Sequence, residues 1–287
     1  MLFGLGVSTA ANPGADPVKE ARRAEELGFD FVSASDHLHG SSPTFEPWTL
    51  LSWIAAGTSQ IRVATRVLGL PYRSPPVVAK MAETLDRLSG GRLILGLGGG
   101  YSDEEFRAFG LGTWTSRDKI DGLEEAIRIA RGLWAEESFT FPGRRYRIQE
   151  AELEPKPEHG IPIWLGTYGS RALALTGRLA DGWIPSHGMV GPEELAAMRH
   201  RVMTAARQAG RRPEDVTCIY NVEVCVGRAD PGESVVSGVP EVVAERLSGF
   251  ARMGFQGFNF LPVGPGREEQ AVRLADEVIP ALRETVW

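Results

Sequence analysis

The feature that most restricts this chain is a repeated beat. Short runs of β-branched and aromatic residues alternate with amphipathic, helix-patterned segments along the whole sequence. The strand-like runs are Leu2–Ser8, Phe29–Ser35, Ile61–Leu68, Arg92–Gly98, Ile161–Gly166, Gly182–Pro185, Val216–Val226 and Gly257–Leu261. Helices are predicted between them. Asp16-Pro17 reads as an N-cap followed by proline at the first helical position, and Ser102-Asp103-Glu104-Glu105 is a capping box. Alternation of this kind implies a parallel sheet with helices outside it. Eight repeats predict an α/β fold, a closed (β/α)8 TIM barrel. An open doubly wound sheet would want G-x-G-x-x-G after its first strand, and the turn here is Ser8-Thr9-Ala10-Ala11-Asn12. The beat breaks once, at about 138–160. There Phe139–Pro142, Gly143 and Tyr146–Ile148 pattern a hairpin, and Pro155, Pro157 and Pro162 forbid a helix. The expectation is a single barrel domain over residues 1–287, with this insertion ahead of strand five.

Composition then removes whole classes of partner. With 31 basic and 37 acidic residues the net charge is −6, and no basic tract occurs, so nucleic acid is not expected. No apolar run approaches the ~20 residues a membrane helix needs. The opening Met1-Leu2-Phe3-Gly4-Leu5-Gly6 has no basic n-region and reads as a strand instead of a leader. Cys218 and Cys225 lie seven positions apart in one strand-like run and so point to opposite faces. They are expected to be buried, unpaired thiols of a cytoplasmic protein.

In a barrel, chemistry collects where strands end and helices begin, so the residues at those points are the candidates. Strand two ends in Asp36-His37-Leu38-His39, strand three in Arg66-Val67, and strand four in Gly98-Gly99-Gly100-Tyr101. Strand five runs into Tyr168-Gly169-Ser170-Arg171 and strand six into Ser186-His187. Three readings of Asp36-His37 stand together. His37 moves a proton or orients a substrate, since imidazole titrates near neutrality; or Asp36, His37 and His39 begin a metal shell that no other strand end completes; or Asp36 caps a turn and His37 is a hydrogen-bonded wall residue. Glycines at 98–100 would let a flat ring or a phosphate approach the backbone, although a tight turn needs one of them anyway. The free amides at the helix after Gly169 favour an anion, with Arg171, Ser186 and His187 placed to assist. Only four lysines occur, and none falls in a predicted strand, which argues against a Schiff-base aldolase. A glycosidase would want two carboxylates across the cleft, and Glu223 has no evident partner. What remains is a barrel that binds a planar, phosphate-bearing cofactor and lets it supply the reactivity.

Taken in order, several short motifs resemble the bacterial luciferase-like flavin and deazaflavin oxidoreductases over nearly the whole chain. They are Ala21-x-x-Ala24-Glu25-x-x-Gly28-Phe29-Asp30, Asp36-His37, and Asp86-x-Leu88-Ser89-Gly90-Gly91-Arg92 leading into Gly96-x-Gly98-x-Gly100-x-x-x-Glu104-Glu105-Phe106. Pro162-Ile163-Trp164-Leu165-Gly166 and Ala180-Asp181-Gly182-Trp183 complete the set. The resemblance implies a ring seated against Asp36, His37, a cis Arg66–Val67 bulge and the loop of Gly98, Gly99, Gly100 and Tyr101. It places the cofactor phosphate on Tyr168, Gly169 and Ser170, with Ser186 and His187 opposite. His37 would be the catalytic group, and no metal is implied. Where some relatives carry a glutamate in the strand-four loop, this chain has Tyr101. The Asp-His pair and the single short insertion resemble the branch dependent on coenzyme F420, with a hydride passed to or from a small organic substrate. The alternatives are a monooxygenase using reduced FMN and a non-catalytic flavin-binding barrel. A homodimer is implied by the family alone.

Overall fold

The computed structural model describes residues 1–227, 232, 234–264 and 266–286. Eight parallel strands form a closed ring: β1 (Leu2–Gly6), β2 (Phe31–Ala34), β3 (Arg62–Thr65), β4 (Leu93–Gly98), β5 (Ile163–Leu165), β6 (Gly182–Trp183), β7 (Thr217–Val226) and β8 (Gly257–Pro262). Each pairs with the next in sequence, and β8 returns to β1 through Leu2↔Gly257 and Leu5↔Phe260. Around the ring lie α1 (Pro17–Glu26), α2 (Pro47–Gly57), α3 (Pro75–Ser89), α4 (Asp103–Ala108), α5 (Ser116–Ala135), α6 (Ser170–Leu179), α7 (Pro192–Gln208), α8 (Pro240–Arg252), α9 (Arg267–Arg273) and α10 (Ile279–Val286). This is the predicted TIM barrel. Among the described residues, no helix is long and apolar enough to cross a membrane.

The interior shows why these residues close a ring. Phe31, Ala64, Ile94, Trp164, Ile184 and Ile219 pack inside it, with the Phe31 and Trp164 rings edge to face at 5.5 Å. Two large rings fit only because neighbouring strands give way. A Cβ on Gly4 would stand 2.2 Å from the Phe31 ring, and one on Gly182 would stand 2.4 Å from Trp164. Between the ring and the helices, a larger apolar shell buries the opposite face of each strand. Each fully buried Leu, Ile or Phe there contributes about 1.5–3 kcal/mol. Above the aromatic layer the interior turns polar. Ser33 Oγ donates to Asn259 Oδ1 at 3.1 Å, and Asn259 Nδ2 donates to Asn221 Oδ1 at 2.8 Å.

Much of the motif set proves to hold strand starts in place. Glu25 accepts the backbone N–H groups of Ser59, Gln60 and Ile61 just ahead of β3. Asp30 accepts from Phe3 N–H at 2.7 Å, and Asp181 accepts from Ile163 N–H at 2.9 Å while pairing with Arg131. These carboxylates do the same work at three joints: they satisfy donors where a strand enters the ring.

The structure departs from the expected boundaries where side chains replace ladder bonds. The expected strand through Leu68 stops at Thr65, whose hydroxyl donates to Gly96 O and accepts from Gly96 N–H, each at 2.8 Å. The Arg66–Val67 peptide is cis, and Leu68–Gly69 then rejoins β4. β6 has two residues, and beyond it Ile184 N–H still reaches Leu165 O while Pro185–His187 continue against β7 through a single bridge, Ser186↔Asn221. The insertion does contain a hairpin, Phe139–Pro142 against Arg147–Ala151. An unexpected strand, Val236–Gly238, adds to β7, and the helical stretch that follows β8 is interrupted by a π-helical turn at Leu274–Val278. Cys218 and Cys225 are both buried and unpaired.

Candidate active site

A cavity of about 410 Å³ opens at the strand ends. Its wall nearest β2 and β4 is a set of side chains already bonded to one another. His37 Nδ1 lies 3.1 Å from Glu105 Oε1, and Tyr72 donates its hydroxyl hydrogen to Glu105 Oε2. Ser102, the N-cap of α4, accepts the Glu105 N–H, so the capping box fixes the start of the helix that carries this carboxylate. Glu105 has a 12% exposed side chain against 59% for His37. Burial alone would raise the Glu105 carboxyl. Hydrogen bonds from Tyr72 and His37, the His37 charge and the Leu38 N–H outweigh it and hold the group below the usual glutamate value. The Tyr72 hydroxyl is pushed the other way, by burial and by bonding to that carboxylate.

One layer deeper, Asp36 has no exposed side-chain surface. Its carboxylate accepts Gly69 N–H at 2.8 Å and both Nη groups of Arg73, at 2.7 and 3.1 Å. Arg73 also reaches Glu46. Burial alone would lower the Arg73 guanidinium, and the bonds and charges of Asp36 and Glu46 more than offset it. Asp36 therefore fastens the 66–73 loop beneath His37.

The far wall is different. Val67 stands beside Gly98 and Gly166, where added Cβ atoms would come within 2.7 and 3.2 Å of its methyls. The glycines thus let Val67 seat against the strand ends as an apolar face of the cavity. α6 begins after Gly169 with no side-chain cap, which leaves the first amides of the helix available. Tyr168 crosses to β6, its hydroxyl oxygen accepting Ser186 N–H at 2.8 Å. The Ser186 oxygen accepts from Asn221 Nδ2 at 3.4 Å, so its own proton is free to donate outward. Among the described residues, no cluster of three metal-binding side chains occurs.

A family model, luciferase-like monooxygenase, matches residues 2–234. This chain belongs to that family. Curated relatives include an F420-dependent glucose-6-phosphate dehydrogenase of Microbacterium testaceum, 28% identical over 91% of each chain. An F420-dependent hydroxymycolic acid dehydrogenase of Mycobacterium tuberculosis is 34% identical, covering 68% of this chain and 55% of its own. Among solved structures, an F420-dependent secondary alcohol dehydrogenase in complex with an F420–acetone adduct has the same fold, with a TM-score of 0.88. It is 20% identical and aligns over 98% of this chain and 99% of its own.

Within this luciferase-like barrel, the cavity brings together Asp36, His37, Arg66, Val67, Gly98, Gly99, Gly100, Tyr101, Tyr168 and Ser186. Gly169 and Ser170 lie outside its lining, at the α6 N-terminus next to Tyr168. His187 turns away: its Nδ1 faces Ser234 O at 2.9 Å, and its ring packs edge-on to Tyr220 and Phe250. Arg171 is held by Asp121 at 2.7 Å and adds no free charge to the helix start. His39 packs on Phe109, apart from Asp36 and His37 chemistry. Tyr101 is 82% exposed at the rim. The glycine run is less open than expected. A Cβ on Gly100 would stand 2.4 Å from the Phe106 ring, and one on Gly99 would face Lys119. Sequence reasoning missed Glu105 and Tyr72. Glu105 was visible as the last residue of a capping box and as a family motif position, and neither signal says that it faces His37 across 68 residues.

Proposed function

We propose that this chain is an F420-dependent oxidoreductase that transfers a hydride between the deazaflavin and a small organic substrate, with His37 as its acid–base group. The observation that carries the role of His37 is the His37–Glu105–Tyr72 relay. Glu105 is held ionised and can only accept, so the His37 proton sits on Nδ1 and Nε2 presents a lone pair to the cavity. A base so oriented takes the proton of a substrate hydroxyl as hydride leaves, and returns it in the reverse direction. The cofactor reading is supported by the F420-dependent relatives. The residues also suit a planar anionic group. Val67 supplies a flat apolar wall, and the uncapped α6 amides with the Ser186 hydroxyl supply donors for a phosphate. When bound, F420 supplies reversible hydride acceptance at one ring carbon and forms no oxygen adduct of the flavin kind.

Titration with F420 and with FMN tests the reading. F420 is expected to bind, and FMN binding tightly with no F420 affinity would overturn it in favour of a reduced-FMN monooxygenase. In His37→Ala, turnover should fall by roughly 10²–10⁴ with F420 affinity kept within twofold. Unchanged turnover would remove the role of His37. Two further parts of the reading are a cytoplasmic setting, supported by two free buried thiols, and a homodimer. Exposed Trp53 on α2 and exposed Val77 and Leu88 on α3 support self-association, which sedimentation at micromolar protein would detect.

A further inference from the structure

The cavity holds a cation that the chain itself leaves uncompensated. Arg66 lies at the turn after β3 and lines the cavity beside Val67. Its Nε is fully buried and has no hydrogen-bond partner. Among the described residues, no carboxylate lies within 4.0 Å of its guanidinium, whereas nearby Arg73 is fastened by Asp36 and Glu46. Two charges act on Arg66 through space: Glu223, exposed on β7, attracts it, and Arg267 repels it. Arg267 is itself bound to Glu20, Gly6 O and Pro262 O and is not available to neutralise a ligand. Burial first, and Arg267 second, push the Arg66 guanidinium down to about 10, so it remains charged at neutral pH.

A half-buried arginine with no ion partner is an expensive thing to place inside a barrel unless something binds to it. Its neighbours on the inward face of β3 and β4, Ala64 and Ile94, show that apolar side chains fit there. A planar fork of donors on a residue that lines a cavity with an apolar wall matches one chemistry, an oxyanion carried on an organic body. Resting on the reading of this cavity as a hydride-transfer site, we infer that Arg66 is the substrate-recognition residue and that the substrate is an organic acid whose carboxylate or phosphate pairs with its guanidinium. The cofactor phosphate has donors of its own at α6 and Ser186, so Arg66 is left for the second ligand.

The test is calorimetric titration of benzoate, and separately of inorganic phosphate, into wild-type protein and Arg66→Gln, each saturated with F420. Saturation fills the α6 anion site and leaves Arg66 as the oxyanion donor under examination. Benzoate binding alone identifies a carboxylate, and phosphate binding alone identifies a phosphate ester. Either should be about ten- to a hundredfold weaker in Arg66→Gln, the loss expected for a charge-assisted bond. Arg66→Lys, which keeps the charge without the fork, should fall between. F420 affinity should stay within twofold in both variants. Equal anion binding by wild type and Arg66→Gln, or no binding by wild type, overturns the proposal. So does a matched loss of F420 affinity, which would assign Arg66 to the cofactor. If wild-type protein does not bind F420, the proposed function fails on that result alone. The same titrations of the cofactor-free proteins then still decide whether Arg66 holds an oxyanion.

Discussion

The two sides of the barrel mouth are built on opposite plans. On the β2–β4 side the charges around His37 are matched: Glu105 with His37 and Tyr72, Asp36 with Arg73, Arg73 with Glu46. On the β5–β7 side donors stand without acceptors, the amides opening α6 and the Ser186 hydroxyl, and Arg66 after β3 is the one cation of the mouth, among the described residues, that no carboxylate pairs. A group that must present one lone pair in one direction needs its other atoms tied down. A group that must receive a ligand needs its donors unpaired. On the proposed reading, the first wall orients a proton and the second binds, so a substitution on one side should leave the other intact.

The largest effect belongs to the paired side. Asp36→Ala leaves Arg73, whose side chain is 13% exposed, with Glu46 as its remaining partner and strips the acceptor from Gly69 N–H. Breaking a buried pair of this kind costs about 3 kcal/mol or more, read as a lower midpoint in urea unfolding. Turnover should fall with it, because the loop under His37 loosens. A variant as stable as wild type would show that the paired wall does not depend on this bond.

The next effect belongs to the unpaired side. Ser170 is the first residue of α6, and Gly169 before it has φ −66° and ψ 150°, a conformation that tolerates a following proline. Ser170→Pro therefore removes one amide without disturbing the helix. F420 affinity should weaken by about tenfold, the worth of one hydrogen bond to a charged group, with thermal stability unchanged. Unchanged affinity in fluorescence titration would mean that the phosphate sits elsewhere.

These two sides were not equally legible in the sequence. The barrel could be read because its signal repeats eight times and each repeat is local. Strand-end residues could be read because a closed barrel gathers them in one place whatever their side chains do. Side-chain direction could not. Glu105 shows its role only through contacts with His37 and Tyr72, and His187 sits on a strand end yet faces Ser234. Glycines 98 and 100, expected to clear space for a ligand, clear it for Val67 and Phe106. A glycine shows that something comes close and does not show what.

A smaller effect follows from the lowered carboxyl of Glu105. A group whose folded value lies below its unfolded value of 4.5 adds stability that is present above pH 4.5 and is lost as pH falls through the folded value. Glu105→Gln should therefore be less stable than wild type by about 1 kcal/mol at pH 7, and the gap should narrow in acid. Unfolding curves between pH 3 and pH 7 read it. A gap that stays constant would locate the contribution in packing and not in charge.

The smallest expected effect is the sharpest test of what an unpaired donor is. Arg171 sits in the first turn of α6, where charge alone would make it a phosphate ligand. Its guanidinium is instead bonded to Asp121, a residue that Arg144 also reaches. A cation already paired at the surface has little net field to offer a ligand, and the exposed pair itself contributes at most about 1 kcal/mol. Arg171→Ala should leave F420 affinity within twofold of wild type, whereas Ser170→Pro beside it should not. If the order were reversed, binding at this end of the barrel would follow nearby formal charge, and the absence of a partner would not be what marks its ligand groups.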